Sequence, residues 1–338
     1  MAQIPVVRTR PSLTPALLAL LAMAVVALGA LWLVQPEPEP DLPPAEPAPE
    51  GFLDGAAGFA VQVDDLAIPY DTFAVTALPG DTLRLEALFV ADAQAGASDG
   101  TLAEAGPRTW RWAAPETPGL ARIEVTSAED ETISLHAFTL VPFDHESDAI
   151  GDYRIGDYED EPMDGNPAYE EPPGFVRVTR ELADVDVAPH FELGQFLAKQ
   201  ESDWPKYLVL SPELLLKLER VLYAVNEAGV EAHTLTVLSG YRTPAYNAAI
   251  GNETTYSRHL YGDAADVFVD ADGDGVMDDV TGDGAVTEAD AEWLAAVVED
   301  LADQPWYAPF VGGLGIYGPA PHRGPFVHVD TRGEPVRW

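Results

Sequence analysis

Two segments far apart in the chain, Ser257-Arg258-His259-Leu260-Tyr261-Gly262-Asp263-Ala264-Ala265-Asp266 and Phe326-Val327-His328-Val329-Asp330, supply two imidazoles and a carboxylate. That is the nitrogen and oxygen set taken by a metal ion that keeps its fourth position open for water. A fold that uses these donors as one site must bring the two segments together, so their pairing constrains the architecture more than any other feature.

Composition narrows the setting. Fifty-seven Asp and Glu against 18 Lys and Arg give a formal net charge of -39, which repels phosphate backbones and argues against nucleic acid as a partner. The alternative source of this acidity is genomic base composition or adaptation to salt rather than function. There are no cysteines, so disulfides and thiolate metal sites are excluded.

Residues 16–34 are uninterrupted apolar, about the length of a helix that crosses a bilayer core. Arg8 and Arg10 precede the run and Glu37, Glu39 and Asp41 follow it, so the positive-inside bias keeps the N-terminus in the cytoplasm and exports the remainder. A cleaved signal peptide is the rival reading, but its apolar core is usually shorter. Residues 1–35 therefore read as a cytoplasmic stub and membrane anchor, and 36–50, where Pro alternates with Glu and Ala, as an extended spacer.

Over residues 51–142 short alternating runs at 59–63, 82–88, 121–125 and 132–140, broken by turn residues, predict a small antiparallel, Ig-like β-sandwich. Trp110 and Trp112, two apart on one strand face, read as core rather than as a carbohydrate platform, and His136 as structural. Residues 143–174, rich in Asp, Glu, Pro, Gly and Tyr, read as a linker that either spans freely or drapes over the following domain. From 175 to 338 helices and strands mix: Ser211-Pro212-Glu213 opens a helix with Leu214, Leu215, Leu218, Val221, Leu222 and Val225 on one face, 234–238 reads as a buried strand, and 289–301 as a second helix. This is an α+β domain.

Within that domain Ser239-Gly240-Tyr241-Arg242-Thr243-Pro244 with Tyr246-Asn247, the 257–266 block, and Gly313-Leu314-Gly315-Ile316-Tyr317 leading to the 326–330 block resemble, in order and spacing, the M15 family of zinc D-Ala-D-Ala peptidases. Ala188-Pro189-His190-Phe191-Glu192-Leu193-Gly194-Gln195-Phe196 is similar to a further stretch of several members. The resemblance implies the hedgehog/DD-peptidase-like fold over 175–338, with His259, Asp266 and His328 as zinc ligands and Arg242 acting on the scissile carbonyl. It also implies that Tyr241, Ser257 and Asn247 contact substrate, and that the substrates are D-Ala-containing stem peptides of peptidoglycan at the cell envelope. Many members place a carboxylate or histidine two or three residues before the last ligand as general base; here those positions hold Phe326 and Pro325, which leaves His322 and Asp330 as the nearby alternatives. A non-catalytic metal-containing cell-wall binding protein is therefore the second reading. A surface protein that recruits an envelope partner through its β-domain is the third.

Between the second ligand and the last helix lie two acidic frames. Asp270, Asp272, Asp274 and Asp278 form a partial loop, and Asp279, Thr281, Asp283 and Asp290 fit positions 1, 3, 5 and 12 of a calcium loop resembling dockerin. Calcium is accordingly the second expected cofactor, with an acidic solvated turn as the alternative.

Overall fold

The computed structural model describes residues 56–143 and 147–338. The apolar run at 16–34 and the spacer at 36–50 lie outside the described residues, and among the described residues no helix is long and apolar enough to cross a membrane.

Nine strands form two sheets. The first, of five strands, has the order β2 (Leu66–Tyr70), β1 (Ala56–Val63), β4 (Thr82–Leu88), β7 (Thr109–Ala113), β6 (Thr101–Gly106). The second, of four, has the order β3 (Thr72–Ala77), β9 (Thr132–Thr139), β8 (Gly119–Ser127), β5 (Ala93–Ala97). Period-two alternation explains the inward faces: Leu83, Leu85 and Ala87 of β4 are buried while Thr82 and Arg84 are exposed. Trp110 and Trp112 stand opposite Leu85 and Leu83 across the β4/β7 pair and fill the space between the sheets. The Trp112 indole donates to the Asp99 carbonyl at 2.9 Å, so its one polar group is satisfied. The sandwich is not wholly antiparallel, because β3 runs parallel to β9 from Thr72↔Ser134 to Ala77↔Thr139. The cause is local: β2 and β3 are separated only by Asp71, so the chain passes from one sheet to the other without reversing.

The sandwich shares a continuous apolar core with the second half of the molecule. His136 of β9, buried, has its Nδ1 2.7 Å from the Asp186 carbonyl, across the junction. Residues 147–174 also pack against that second half: Tyr153, Ile155 and Tyr169 are buried, and the Tyr158 hydroxyl donates to the Leu260 carbonyl at 2.9 Å. Burial of these side chains supplies what a solvated spacer lacks, an apolar reason to stay in place.

The second half is built on a five-stranded sheet of order β10 (Leu235–Ser239), β11 (Ala264–Val269), β13 (Phe326–Asp330), β12 (Gly313–Tyr317), β14 (Val336–Arg337). Helix α1 (Pro212–Glu227) begins where the Ser211 hydroxyl accepts the Leu214 amide, with Pro212 at its first position, and buries the Leu/Val stripe against the core. The short α2 (Pro244–Ala249) is capped by Thr243, and α3 (Glu288–Ala302) by a reciprocal pair between Thr287 and Asp290. The strand β11 is buried along its whole length, as the centre of a covered sheet requires.

Candidate metal centre

Strand register makes the site. In the antiparallel pair of β11 and β13, Asp266 stands directly opposite His328, so two donors from distant sequence become cross-strand neighbours on one face. The third, His259, comes from the single 3-10 turn Arg258–Tyr261 that precedes β11. Gly262 ends that turn at φ 72°, and a Cβ there would lie 2.3 Å from the Val209 carbonyl oxygen; glycine at this point lets the chain turn from His259 into the strand.

The three donor atoms converge. His259 Nε2 lies 3.2 Å from Asp266 Oδ1 and 3.2 Å from His328 Nδ1, and His328 Nδ1 lies 3.0 Å from the same Asp266 oxygen. Donors each about 2.0–2.2 Å from a common tetrahedral centre stand roughly 3.3 Å apart, so the spacing fits a small cation bound by all three. Their other polar atoms set the tautomers. His259 Nδ1–H donates to the Gly240 carbonyl at 2.7 Å, leaving the Nε2 lone pair inward. His328 Nε2–H donates to Asp330 Oδ2 at 3.1 Å, leaving Nδ1 inward. Asp330, fully buried, is itself held by Arg332 and by the Gly313 amide at 2.8 Å.

For His259 and Asp266, electrostatics agree with this division of roles. Burial pulls the His259 pKa below its ordinary value, and the nearby Asp266 carboxylate only partly offsets it, so the ring stays neutral and free to ligate. Burial would raise the Asp266 pKa, but the two imidazoles more than reverse it and hold the carboxyl well below the usual range. For His328, burial favours the neutral ring, yet the hydrogen bonds to Asp266 and Asp330 raise its pKa.

The centre lies in a cleft of about 500 Å³. Arg242 and Ser257 line it. Arg242 follows β10, and its guanidinium reaches Asp266 Oδ2 at 2.5 Å and the Ser239 hydroxyl at 2.7 Å. The remaining expected site residues are elsewhere. Tyr241 is buried, not cleft-lining: its ring packs against Phe175 and its hydroxyl lies 3.1 Å from that of Tyr158, because neighbouring residues on an extended segment point to opposite sides. Asn247 is buried too, donating to the carbonyls of Asn252 and Thr254; it shapes the loop whose Asn252 and Thr254 line the cleft.

Neither expected general base occupies the open face. His322 is exposed in the loop between β12 and β13 and is not among the cleft-lining residues, since the chain there turns outward around the Ala320/Arg323 bridge. Asp330 sits behind His328 on the side away from the ligand nitrogen, where, although burial opposes it, the hydrogen bond from His328 and then those from Arg332 hold its carboxyl well below the usual range. Apart from the three converging donors, no carboxylate or imidazole lines the cleft among the described residues. Sequence reasoning missed Arg323 and Trp338, which do line it. The Trp338 indole donates to the Tyr317 hydroxyl at 2.6 Å and lies 5.1 Å, ring to ring, from His328. It covers Gly315, where a Cβ would be 2.6 Å from the indole. Nothing local in the sequence pairs position 338 with β12.

The acidic frames form adjoining loops. Donor atoms of Asp270, Asp272 and Asp278 lie within 4.8 Å of one another; Asp274 is not part of that group, and its Oδ1 accepts the Val276 amide. Backbone amides of Ala271, Asp274 and Gly275 already donate to Asp278 and Asp270. In the second frame Asp279 accepts from the Asp283 and Gly284 amides and from Thr281, and Asp283 accepts from the Ala285 amide. Asp290 accepts from Thr281 and from Thr287 as a helix cap.

With this geometry in view, comparison with known families is specific. Residues 189–278 match the family model of Peptidase M15. The matched stretch carries His190, Arg242, His259 and Asp266, and ends before His328. It supports a peptidase of the M15 type for this part of the chain. No curated protein and no solved structure matched.

Proposed function

We propose that this chain is a zinc metallopeptidase that hydrolyses D-Ala-containing stem peptides of peptidoglycan at the cell envelope. The observation that carries the reading is the convergence of His259 Nε2, Asp266 Oδ1 and His328 Nδ1 at 3.0–3.2 Å within a cleft, in a region matched in part by the Peptidase M15 family. Two nitrogens and one oxygen are the donor set of catalytic zinc, and the absence of cysteine from the chain removes the thiolate alternative. Zinc bound there would supply a Lewis acid for the scissile carbonyl and for water. The chain's own residues do the rest. Gly240 and Asp330 fix both rings in the ligating tautomer, and Arg242 places a planar positive fork beside Asp266, where oxyanion charge would develop. The resemblance to D-Ala-D-Ala peptidases supports the substrate class, and the apolar run with its flanking arginines supports anchoring at the membrane with an exported catalytic region. Calcium in the loops at 270–290 rests on the pattern of oxygen donors alone.

Incubation of the zinc-loaded protein with stem peptides, followed by mass spectrometry with and without metal, tests this. Zinc-dependent loss of D-Ala or cleavage of a cross-link is expected. A second reading, a metal-containing cell-wall binding protein without catalysis, is favoured by the lack of a further acid or base in the cleft among the described residues. Stoichiometric zinc and saturable peptide binding with no turnover would select it.

A further inference from the structure

Four arginines line the cleft: Arg242, Arg258, Arg323 and Arg332. Three are engaged by acids, Arg242 by Asp266, Arg258 by Asp263 and Arg332 by Asp330. The fourth differs. Arg323 Nη1 donates to the Gly318 carbonyl at 2.8 Å and to that of Gly324 at 3.3 Å, and its guanidinium lies 4.6 Å over the Phe326 ring, but no carboxylate meets it among the described residues. In a chain with 57 acids and 18 Lys and Arg, an arginine left without an acid beside the donor cluster is conspicuous. Two carbonyls and a ring face hold the group in place, while its Nε and Nη2 hydrogens have no partner among the described residues. A guanidinium so fixed presents a planar fork matched to a carboxylate. Because the molecule's overall field repels anions, an acidic group on a ligand needs a local fixed positive charge of this kind to enter.

We infer that Arg323 anchors a carboxylate of the peptide substrate, and so biases the cleft toward substrates that carry one close to the scissile bond. The inference rests on the metallopeptidase reading. The carboxylate has two sources, the free C-terminus of the peptide or an acidic side group within it. The first makes the enzyme a carboxypeptidase by preference; the second leaves cleavage within a cross-link equally open.

The test uses the zinc-loaded full chain and three peptides: diacetyl-L-Lys-D-Ala-D-Ala as the free acid, the same peptide as its C-terminal amide, and acetyl-D-Glu-L-Lys-D-Ala-D-Ala amide. If the C-terminus is the partner, kcat/KM for the free acid exceeds that for the first amide by about tenfold or more, mostly through KM. Arg323→Gln collapses that ratio toward one, while Arg323→Lys restores part of it and zinc content stays stoichiometric in both. If an internal acid is the partner, the ratio that collapses is that of the D-Glu amide to the first amide. Equal effects of Arg323→Gln on all three peptides, or none, overturn the inference while leaving the peptidase reading intact. Should no peptide be cleaved, the peptidase reading fails, and calorimetry with N-acetyl-D-alanine, its amide and N-acetyl-D-glutamate amide decides the carboxylate site by itself. Wild type should bind at least one of the acids about tenfold more tightly than Arg323→Gln does. Equal affinities of the two proteins for both acids sink it.

Discussion

Two groups of carboxylates in this molecule end in opposite situations. Asp266 is buried between two imidazoles, with Oδ1 facing both ring nitrogens and Oδ2 on Arg242. Asp270 and Asp279 stand in surface loops, where amides of their own loops donate to them. Buried donors that point at one another are costly unless a cation or proton stands among them, whereas loop carboxylates with backbone partners and water close by are stable as they are. Convergence under burial, rather than acid count, therefore distinguishes a built metal centre from a region rich in ligand atoms.

The largest effects should come from the buried group. His259→Ala, Asp266→Ala or His328→Ala leaves two protein donors, and each should lose stoichiometric zinc and all zinc-dependent hydrolysis; full metal occupancy by elemental analysis in any one of them would remove that residue from the site. Asp330→Asn keeps all three donors but weakens the group that orients His328. A fall of roughly 10- to 100-fold in zinc affinity or turnover is expected, and zinc titration with wild-type affinity would demote Asp330 to ordinary packing.

A third experiment reaches beneath the centre, to the buried Lys217, whose ammonium donates to the carbonyls of Phe310 and Asp330. Burial lowers its pKa to about 8, from 10.5 when exposed, against a smaller opposing pull from Asp330. The folded state therefore binds fewer protons than the unfolded state between these values, and this residue's contribution to stability rises with pH from about 8 to 10.5. Denaturant unfolding across that window should show a rise in wild type, relative to Lys217→Met, of about 3 kcal/mol at most. Parallel curves for the two proteins would show that Lys217 is not strained by its burial.

The smallest effect belongs to the exposed loops. Calcium at a hundredfold over its dissociation constant would add about 2.7 kcal/mol to a native state that binds it. Calcium-selective chelation should then lower the melting temperature, and Asp283→Ala should remove that sensitivity. Melting indifferent to millimolar calcium would make the loops acidic turns and sharpen the contrast with Asp266.

Strands with one buried face were legible from alternation: the run at 82–88 coincides with β4, and that at 132–140 with β9 within one residue. The edge strands β5 and β6 were not, because Ala93–Ala97 and Thr101–Gly106 are small and mostly exposed and show no alternation to read. Within the centre, the donor trio was legible from the resemblance of the 257–266 and 326–330 blocks to the M15 family; the structure brings the three together, His259 on a turn and Asp266 and His328 on paired strands.

The sequence by itself determined which side chains are available and, through period two, which of them share a strand face: Phe326, His328 and Asp330 are one such set. Only the tertiary structure decided what each of them meets. Asp266 opposes His328 because β11 pairs with β13 in one register, and a slip of β13 by one residue would turn His328 to the other face. Asp330 became a support for His328 because Arg332 and the Gly313 amide close around it, and Tyr241 turned to the core because Tyr158 and Phe175 were brought there from earlier in the chain. Among the described residues Arg323 meets no acid, and its partners are the Gly318 and Gly324 carbonyls and the Phe326 ring. Local periodicity fixes the direction of a side chain relative to its own strand; its partner is set by contacts between residues far apart in sequence, which no local pattern encodes.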